Sequence, residues 1–166
     1  VDYKNIIDSY VKNEDWRVKE NSTVTYSVGG LILHNSGAVT ANYWLSEMYD
    51  EEIAKLYKNG DFHLHDLSML TAYCAGWSLK QLIETGLGGV TGKITSAPAS
   101  HLYTIANQMV NFLGIMQNEW AGAQAFSSFD TYLAPFVRVD KLTYREVKQA
   151  IQAFVFGVNI PSRWGT

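Results

Sequence analysis

Two runs of apolar residues at helical spacing constrain the fold of this chain more than any other feature. The first run lies on one side of a 3.6-residue helical period and consists of Leu102, Ile105, Met109, Phe112, Leu113 and Met116. The second run consists of Val147, Ile151, Phe154 and Val155. It follows Thr143 and Glu146, which have the spacing of a capping box that closes the free amides of a helix start. Apolar residues with this period predict two amphipathic helices.

Shorter segments complete the prediction of a helix-rich α/β fold. Capping residues and apolar spacing predict further helices at residues 2–13, 36–45, 51–59 and 78–85. The longest helix is expected to open at Ser96, and the last helix is expected to end at Gly157. Residues 21–33 are expected to be extended or in turns, 69–75 to form a buried strand, and 158–160 to start another strand.

Composition narrows the class of protein. The 166 residues are 47% hydrophobic and 17% charged, which suits one folded domain and excludes a disordered chain. A net charge of -3 does not provide the basic face that nucleic-acid binding requires. No apolar run reaches the length of a membrane span. The single cysteine excludes an internal disulfide and favours a reducing cytoplasm. Neither end reads as a natural terminus, so we expect a piece of a longer protein.

Cys74 is the first candidate for chemistry because it is the only thiol. The predicted elements place it at the carboxyl end of a buried strand, just before a turn formed by Gly76 and Trp77 that leads into a helix. Positive potential at a helix start favours a reactive thiol. Free cysteines are also among the most buried residue types and usually only pack. The spacing alone favours the packing role.

His63, His65 and Asp66 form a second cluster. Two histidines two positions apart on an extended segment point to the same side, and Asp66 follows directly. Such a pair could ligate a metal, but a site needs three or four ligands, and His34 and His101 are distant in sequence. We therefore expect no metal here and keep a histidine–aspartate pair as the lining of a substrate pocket.

The segment from His34 to Gly37 is a third candidate. Asn35 and Ser36 are short polar residues ahead of a predicted helix, where free amides bind anions or hydroxyl groups. Such caps are common without any ligand. The chain contains no Walker A, G-x-S-x-G or G-x-G-x-x-G sequence. Short generic motifs therefore do not identify the function of this chain.

Five stretches, taken in order, resemble the anaerobic (class III, glycyl-radical) ribonucleoside-triphosphate reductases. They read GGLILHNSG (29–37), GDFHLHDL (60–67), YCAGWSL (73–79), QNEWAGAQAFSSFDTYL (117–133) and NIPSRWGT (159–166). The resemblance extends over nearly the whole chain, yet it covers only a fraction of a family member. Long segments in a fixed order are far more specific than one short motif.

The resemblance implies a ten-stranded α/β barrel, of which this chain is the first half. In the family, a finger loop in the barrel carries a cysteine that becomes a thiyl radical, and a carboxyl-terminal glycine stores the radical. An iron–sulfur, S-adenosylmethionine-dependent activating enzyme installs it. The thiyl radical removes the ribose 3′ hydrogen, and the 2′ hydroxyl leaves as water. Formate or a thioredoxin-type system supplies the electrons.

The resemblance also implies roles for individual residues. Cys74 matches the second active-site cysteine, whose thiol delivers a proton and then hydrogen to the opposite face of the ribose. His65 and Asp66 are assigned to pocket lining or support of the site. Asn35 and Ser36 are assigned to substrate contacts at a helix start.

Regulation by nucleotide effectors is implied for the long helix after Ser96. In the family this helix helps to form the interface of a homodimer, where an effector selects the substrate base. Effector phosphates need cations, and on that ground alone His101 and Lys141 are candidates. The apolar stripe equally suits an ordinary core helix.

Several parts of the family's machinery are not in this sequence. With one cysteine, residues 1–166 lack the thiyl-radical cysteine and the zinc-binding cysteines, and the ATP cone and the glycyl-radical segment are also missing. We expect a partial catalytic barrel domain that binds no cofactor itself. Alone it is expected to be inactive, because it needs the remainder of the reductase and the activating enzyme.

Two other functions stay open at this point. An inactive dimerisation or nucleotide-binding module would bind nucleotide without turnover, even after the remainder is supplied. A metal-dependent hydrolase using His63 and His65 would contain stoichiometric zinc or manganese.

Overall fold

A computed structural model describes residues 2–12, 28–88, 92, 95–120 and 122–159. These residues form two compact units, one ending at Tyr73 and the other beginning at Cys74. Tyr10, Ala54 and Leu67 are buried in the first unit, and the second unit has a larger apolar core. Within the described ranges, no helix is long and apolar enough to span a membrane.

The first unit is helical. Its elements are α1 (Tyr3–Val11), α2 (Val28–Tyr43), a π-helical turn (Trp44–Met48) and α3 (Glu51–Asn59). The prediction of α1 is confirmed, and its start is capped by Asp2, whose carboxylate accepts the Asn5 backbone N–H at 3.1 Å. Helix α3 ends as predicted at Gly60, which adopts a φ of 82°.

Charged side chains on the exposed face of α1 are paired at the spacing of one helical turn. Lys4 Nζ lies 2.6 Å from Asp8 Oδ2, and Lys12 Nζ lies 2.9 Å from the same oxygen. Hydrogen bonds from Lys4 and then Lys12 lower the pKa of the Asp8 carboxyl below its ordinary value. Pairs at this spacing stabilise a short helix.

The start of α2 differs from the prediction. Residues 28–33 are helical rather than extended, and Ser36 lies inside the helix rather than at its start. Residues 21–27 lie outside the described residues. Glycines weaken an isolated helix, but Gly29 and Gly37 are buried here. Packing against neighbouring segments therefore overrides the local preference of this glycine-containing run.

The second unit contains four helices and two short strands among its described residues. In chain order they are β1 (Ala75–Trp77), α4 (Leu79–Thr85), α5 (Leu102–Met116), β2 (Gln124–Phe126), α6 (Phe129–Val139) and α7 (Tyr144–Val158). The strands pair in parallel, with Ala75 opposite Gln124 and Trp77 opposite Phe126. The helix-rich α/β class is confirmed. A half barrel is not confirmed, because the described residues form only this two-stranded sheet.

The core of the second unit joins all four of its helices. Its buried members are Leu79, Leu82, Leu102, Ile105, Met109, Leu133 and Ala150. The predicted stripe of α5 is confirmed, but the helix begins at Leu102 and not at Ser96. Ser96 instead exchanges two backbone hydrogen bonds with Leu87, at 2.9 and 3.0 Å. These bonds hold it in an antiparallel bridge before the helix.

Helix α7 begins as predicted and ends later than predicted. The Thr143 hydroxyl and the Glu146 carboxylate form the capping box. The Thr143 backbone N–H and then its hydroxyl donate to Glu146 and lower the pKa of this carboxyl below its ordinary 4.5. Gly157 lies inside the helix, which continues to Val158, so the predicted strand start at Val158 is wrong. Ile160 is outside the described residues.

Candidate active site

Cys74 is exposed and directly precedes β1. The predicted buried strand at 69–75 is wrong, since Leu70 and Tyr73 are 66% and 44% exposed and the strand starts at Ala75. A strand requires a partner for its backbone, and β2 pairs only with 75–77. Cys74 therefore lies at the amino end of the strand, and Gly76 and Trp77 belong to the strand rather than to a turn.

The strand pair fixes the backbone beside Cys74. The Ala75 N–H donates to the Ala123 carbonyl at 3.1 Å, and the Trp77 indole N–H donates to Gln124 Oε1 at 2.9 Å. The first residue of α4 is Leu79, and Ser78 caps it. Because helix potential acts within the first turn, the predicted effect of a helix start on the Cys74 thiol does not apply.

Strand β2 was not predicted. Its residues are three of a longer polar and aromatic run, and a three-residue strand leaves no periodicity to detect. The bond between Trp77 and Gln124 joins residues 47 positions apart, so local spacing could not reveal it either. The only signal was the resemblance of residues 117–133 to the reductase family.

Asn35 and Ser36 lie in the middle of α2, where the helix uses its own amides. The predicted helix start at Ser36 is therefore wrong, and no free helix amides lie beside these two residues. Both residues instead line a pocket of about 320 Å³ between α1 and α2. The Asn35 Oδ1 atom is buried without a hydrogen-bond partner. The other lining residues are Tyr3, Ile6, Ile7, Val39 and Thr40.

Helix α2 is held by contacts to α1 and to the turn at residues 65–68. His34 Nε2 lies 2.8 Å from the Ser9 hydroxyl and 3.1 Å from the Ile6 carbonyl. A β-carbon added at Gly37 would lie 3.0 Å from the Ser68 β-carbon, so the glycine permits a close approach. Asn35, Ser36, His65 and Asp66 are therefore parts of one compact unit, although no hydrogen bond joins the first two to the last two in the described structure.

His63, His65 and Asp66 form a connected group, as the prediction that they share one side requires. His63 Nε2 lies 3.3 Å from His65 Nδ1, and the two rings meet edge to face at 5.5 Å. His65 Nε2 lies 3.3 Å from Asp66 Oδ1. Asp66 has a φ of 58°, a left-handed conformation that aspartate tolerates better than most residues. No set of three or more metal-ligating side chains converges within the described ranges.

His101 and Lys141 are brought near each other by the second unit. His101 precedes α5, and its Nδ1 lies 3.0 Å from Asp140 Oδ2, next to Lys141 in sequence. The Asp140 carboxylate thus occupies one side of the imidazole, which weakens the case for a phosphate there. Binding of an effector by His101 and Lys141 stays a prediction.

Comparison with known proteins decides the family. Residues 20–166 match the family described as anaerobic ribonucleoside-triphosphate reductase. The chain belongs to that family. The matched range includes Cys74, the His63–Asp66 group and every element from α2 to α7. No curated protein matches the chain.

Solved anaerobic ribonucleotide reductases share the fold of this family member. One is the Thermotoga maritima enzyme in complex with dATP and CTP, with 21% identity and a TM-score of 0.66 over 96% of this chain and 32% of that one. Another is the same enzyme with citrate in the active site, with 20% identity and a TM-score of 0.67 over 96% of this chain and 36% of that one. This chain thus spans about a third of the length of the solved reductase chains.

Proposed function

We propose that this chain contributes the reductive cysteine to an enzyme that converts ribonucleoside triphosphates to 2′-deoxyribonucleoside triphosphates by a radical mechanism. The observation that carries the proposal is the family match over residues 20–166, which contains the chain's only thiol, Cys74. The exposure of Cys74 also supports it, because a thiol that reduces a substrate must be reachable.

The proposed step uses Cys74 as a hydrogen donor. After a thiyl radical elsewhere in the enzyme has removed the ribose 3′ hydrogen, the 2′ hydroxyl takes a proton and leaves as water. The Cys74 thiol then gives a hydrogen atom to the 2′ carbon, and the cysteine that took the 3′ hydrogen returns it to the 3′ carbon. A glycyl radical supplies the radical chemistry, and an iron–sulfur, S-adenosylmethionine-dependent enzyme would install it. Formate or a dithiol system returns the enzyme to its starting state.

A rigid backbone beside the thiol supports this role. Hydrogen transfer requires a thiol placed within a narrow range of distance and angle. The β1–β2 ladder holds Ala75 directly after Cys74, and the hydrogen bond from Trp77 to Gln124 ties the same strands through side chains. We propose that the strands are the beginning of a ten-stranded barrel completed by the remaining polypeptide.

In the first unit, we propose that polar residues contact the substrate or support the site. His65 and Asp66 are proposed to support the site, and Asn35 and Ser36 to contact substrate from the pocket between α1 and α2. The buried, unpaired Asn35 Oδ1 supports a polar ligand near that pocket, since such an atom is costly without a partner. We further propose a homodimer in the full enzyme, with effector nucleotides selecting the substrate.

The test is an anaerobic assay for conversion of CTP to dCTP. The chain is measured alone, and then with the carboxyl-terminal polypeptide of the reductase, the activating enzyme and formate. Product is expected only in the complemented mixture. Cys74→Ala and Cys74→Ser should abolish it, whereas the matched control Thr71→Ala, at an exposed position nearby, should retain it.

The alternative of a binding module makes the opposite prediction. A mixture that assembles, holds its glycyl radical and binds CTP but forms no dCTP would contradict the proposed reduction. Binding without turnover would then be the function of the chain.

A further inference from the structure

The two-stranded sheet of the second unit has one covered face and one open face. Ala75, Trp77, Gln124 and Phe126 are half-buried, and they alternate with residues that are exposed. The Trp77 and Phe126 rings both pack against the Phe112 ring of α5, at centroid distances of 5.2 and 5.6 Å. Because side chains alternate between the two faces of a strand, the exposed residues point away from α5.

The open face carries small side chains. Its members are Cys74, Gly76 and Ser78 along the line of β1, and Ala123, Ala125 and Ser127 along the line of β2, and all six are exposed. Ala125 lies opposite Gly76 in the register. The Ser127 N–H donates to the Trp77 carbonyl at 3.1 Å and continues the ladder past the last strand residue. The Cys74 thiol is therefore the reactive group on a flat surface that belongs to its own unit.

Gly76 is a glycine that the described part of the chain does not require. It is not one of the glycines with a positive φ, and a β-carbon added there would meet no described atom within 4 Å. Glycine weakens the interior of a strand, and it often marks a point where a ligand or another backbone approaches closely. Since the described residues supply no such neighbour, the space above Gly76 is open to a molecule from outside the chain.

We propose that the ribose of the substrate lies on the open face, and that Gly76 and Ala125 determine how closely it approaches the Cys74 thiol. The inference rests on the proposed function, in which this thiol gives a hydrogen atom to the 2′ carbon. Such a transfer requires reacting atoms about 3–3.5 Å apart. Residues two positions apart on a strand are separated by about 6.6 Å, so a ribose in contact with Cys74 extends towards Gly76. A larger side chain at Gly76 would lift the ring away from the thiol.

Substitutions of increasing size at Gly76 test this role in the complemented enzyme. Gly76→Ala should keep the free energy of unfolding of the chain, because its β-carbon enters open space. It should lower kcat/KM for CTP roughly 10-fold, and Gly76→Val roughly 100-fold, because small displacements of reacting groups slow a reaction steeply. Gly88→Ala is the matched control, since Gly88 is also exposed and an added β-carbon there also meets no described atom within 4 Å. This control should leave kcat/KM unchanged.

A second variant adds bulk to the open face from the other strand. Valine favours strands, so Ala125→Val should preserve the ladder. If the ribose lies on this face, Ala125→Val should lower kcat/KM for CTP as Gly76→Val does. Unchanged kcat/KM in both valine variants would overturn the proposal, because it would show that no part of the substrate lies over these residues.

The same variants show whether protein covers the open face instead of substrate. In that case Gly76→Val would need more carboxyl-terminal polypeptide for half-maximal activity, while kcat/KM at saturation would stay unchanged, and the proposal would be overturned. Failure of the proposed function is distinguishable, since the unmodified mixture would then form no dCTP. Binding of CTP to the mixture then tests the open face alone. Weaker CTP binding in Gly76→Val supports the proposal, and equal binding contradicts it.

Discussion

Gly86 occupies a position in the second unit where the backbone angles and the close neighbours both require glycine. Its φ of 67° and ψ of -161° lie in a region that only glycine enters readily. A β-carbon there would come within 2.7 Å of the Ala97 carbonyl carbon and closer still to the Ser96 oxygen. Gly60 also has a positive φ, of 82°, but nothing lies within 4 Å of an added β-carbon. A side chain at Gly86 would therefore meet both backbone strain and steric conflict, whereas a side chain at Gly60 would meet backbone strain alone.

Gly86→Ala should destabilise the chain by about 3 kcal/mol or more, because strain and overlap add. Gly60→Ala should cost only about 1 kcal/mol, which is the price of the left-handed conformation. Urea denaturation measures both free energies of unfolding. Equal losses in the two variants would show that the loop at Ser96 and Ala97 does not press on Gly86.

The capping carboxylate of α7 predicts a dependence of stability on pH. Because the pKa of Glu146 is below its ordinary 4.5 in the folded chain, its contribution is present above that value. It is lost as the pH falls through the lower, folded pKa. The difference in unfolding free energy between the unmodified chain and Glu146→Gln should therefore shrink as the pH falls below about 4.5. A difference that stays constant with pH would contradict the capping role.

Single residues were predictable where the chemistry is local. The capping box of Thr143 and Glu146, the helix stop at Gly60 and the contact between His63 and His65 all follow from spacings of two to nine residues. The environment of Cys74 did not follow, because it depends on pairing with residues about 50 positions later. The partners of His34 and the pocket wall that faces Asn35 likewise lie in another helix.

At the scale of elements, α5 and α7 meet at a glycine. A β-carbon added at Gly157 would lie 2.9 and 3.0 Å from the two methyl groups of Val110. Alanine favours a helix over glycine by about 1 kcal/mol, so local preference and packing oppose each other here. Gly114 in α5 is exposed with open space around it, and it provides the matched control.

Gly157→Ala should destabilise the chain by about 1–2 kcal/mol despite its better helix propensity. Gly114→Ala should stabilise it by about 0.5–1 kcal/mol. In a double-mutant cycle, Val110→Ala should relieve part of the cost of Gly157→Ala. Additive effects of the two substitutions in thermal or urea unfolding would contradict a direct contact between α5 and α7 at this point.

Elements were predictable when a long apolar stripe or a cap marked them. Helices α1, α3, α4, α5 and α7 carry such signals, although the boundaries of α5 and α7 shifted. Strand β2 carries none, and the apolar run at 69–75 lacks a strand partner, so it stays irregular and exposed. The glycines in α2 have low helix propensity, so the first part of this helix was predicted to be extended, and packing stabilises it instead.

At the scale of the whole molecule, the order of the resembling segments indicates the family, and the family match over residues 20–166 confirms it. Five segments in order are specific because each must satisfy a separate part of one large fold. The barrel, the dimer and the radical chemistry are proposed for the whole enzyme, and this chain spans about a third of the length of the solved reductases. No property of 166 residues could establish them, so they remain proposals.

The origin of the hydrogen at the 2′ carbon tests the role of Cys74 most directly. A thiol exchanges its hydrogen with solvent, so CTP reduced by the complemented enzyme in D₂O should give dCTP with one deuterium at the 2′ carbon. Mass spectrometry and NMR of the product locate the label, and Cys74→Ser should give no product. Labelled dCTP from Cys74→Ser, or unlabelled dCTP from the unmodified chain, would show that another group delivers the hydrogen.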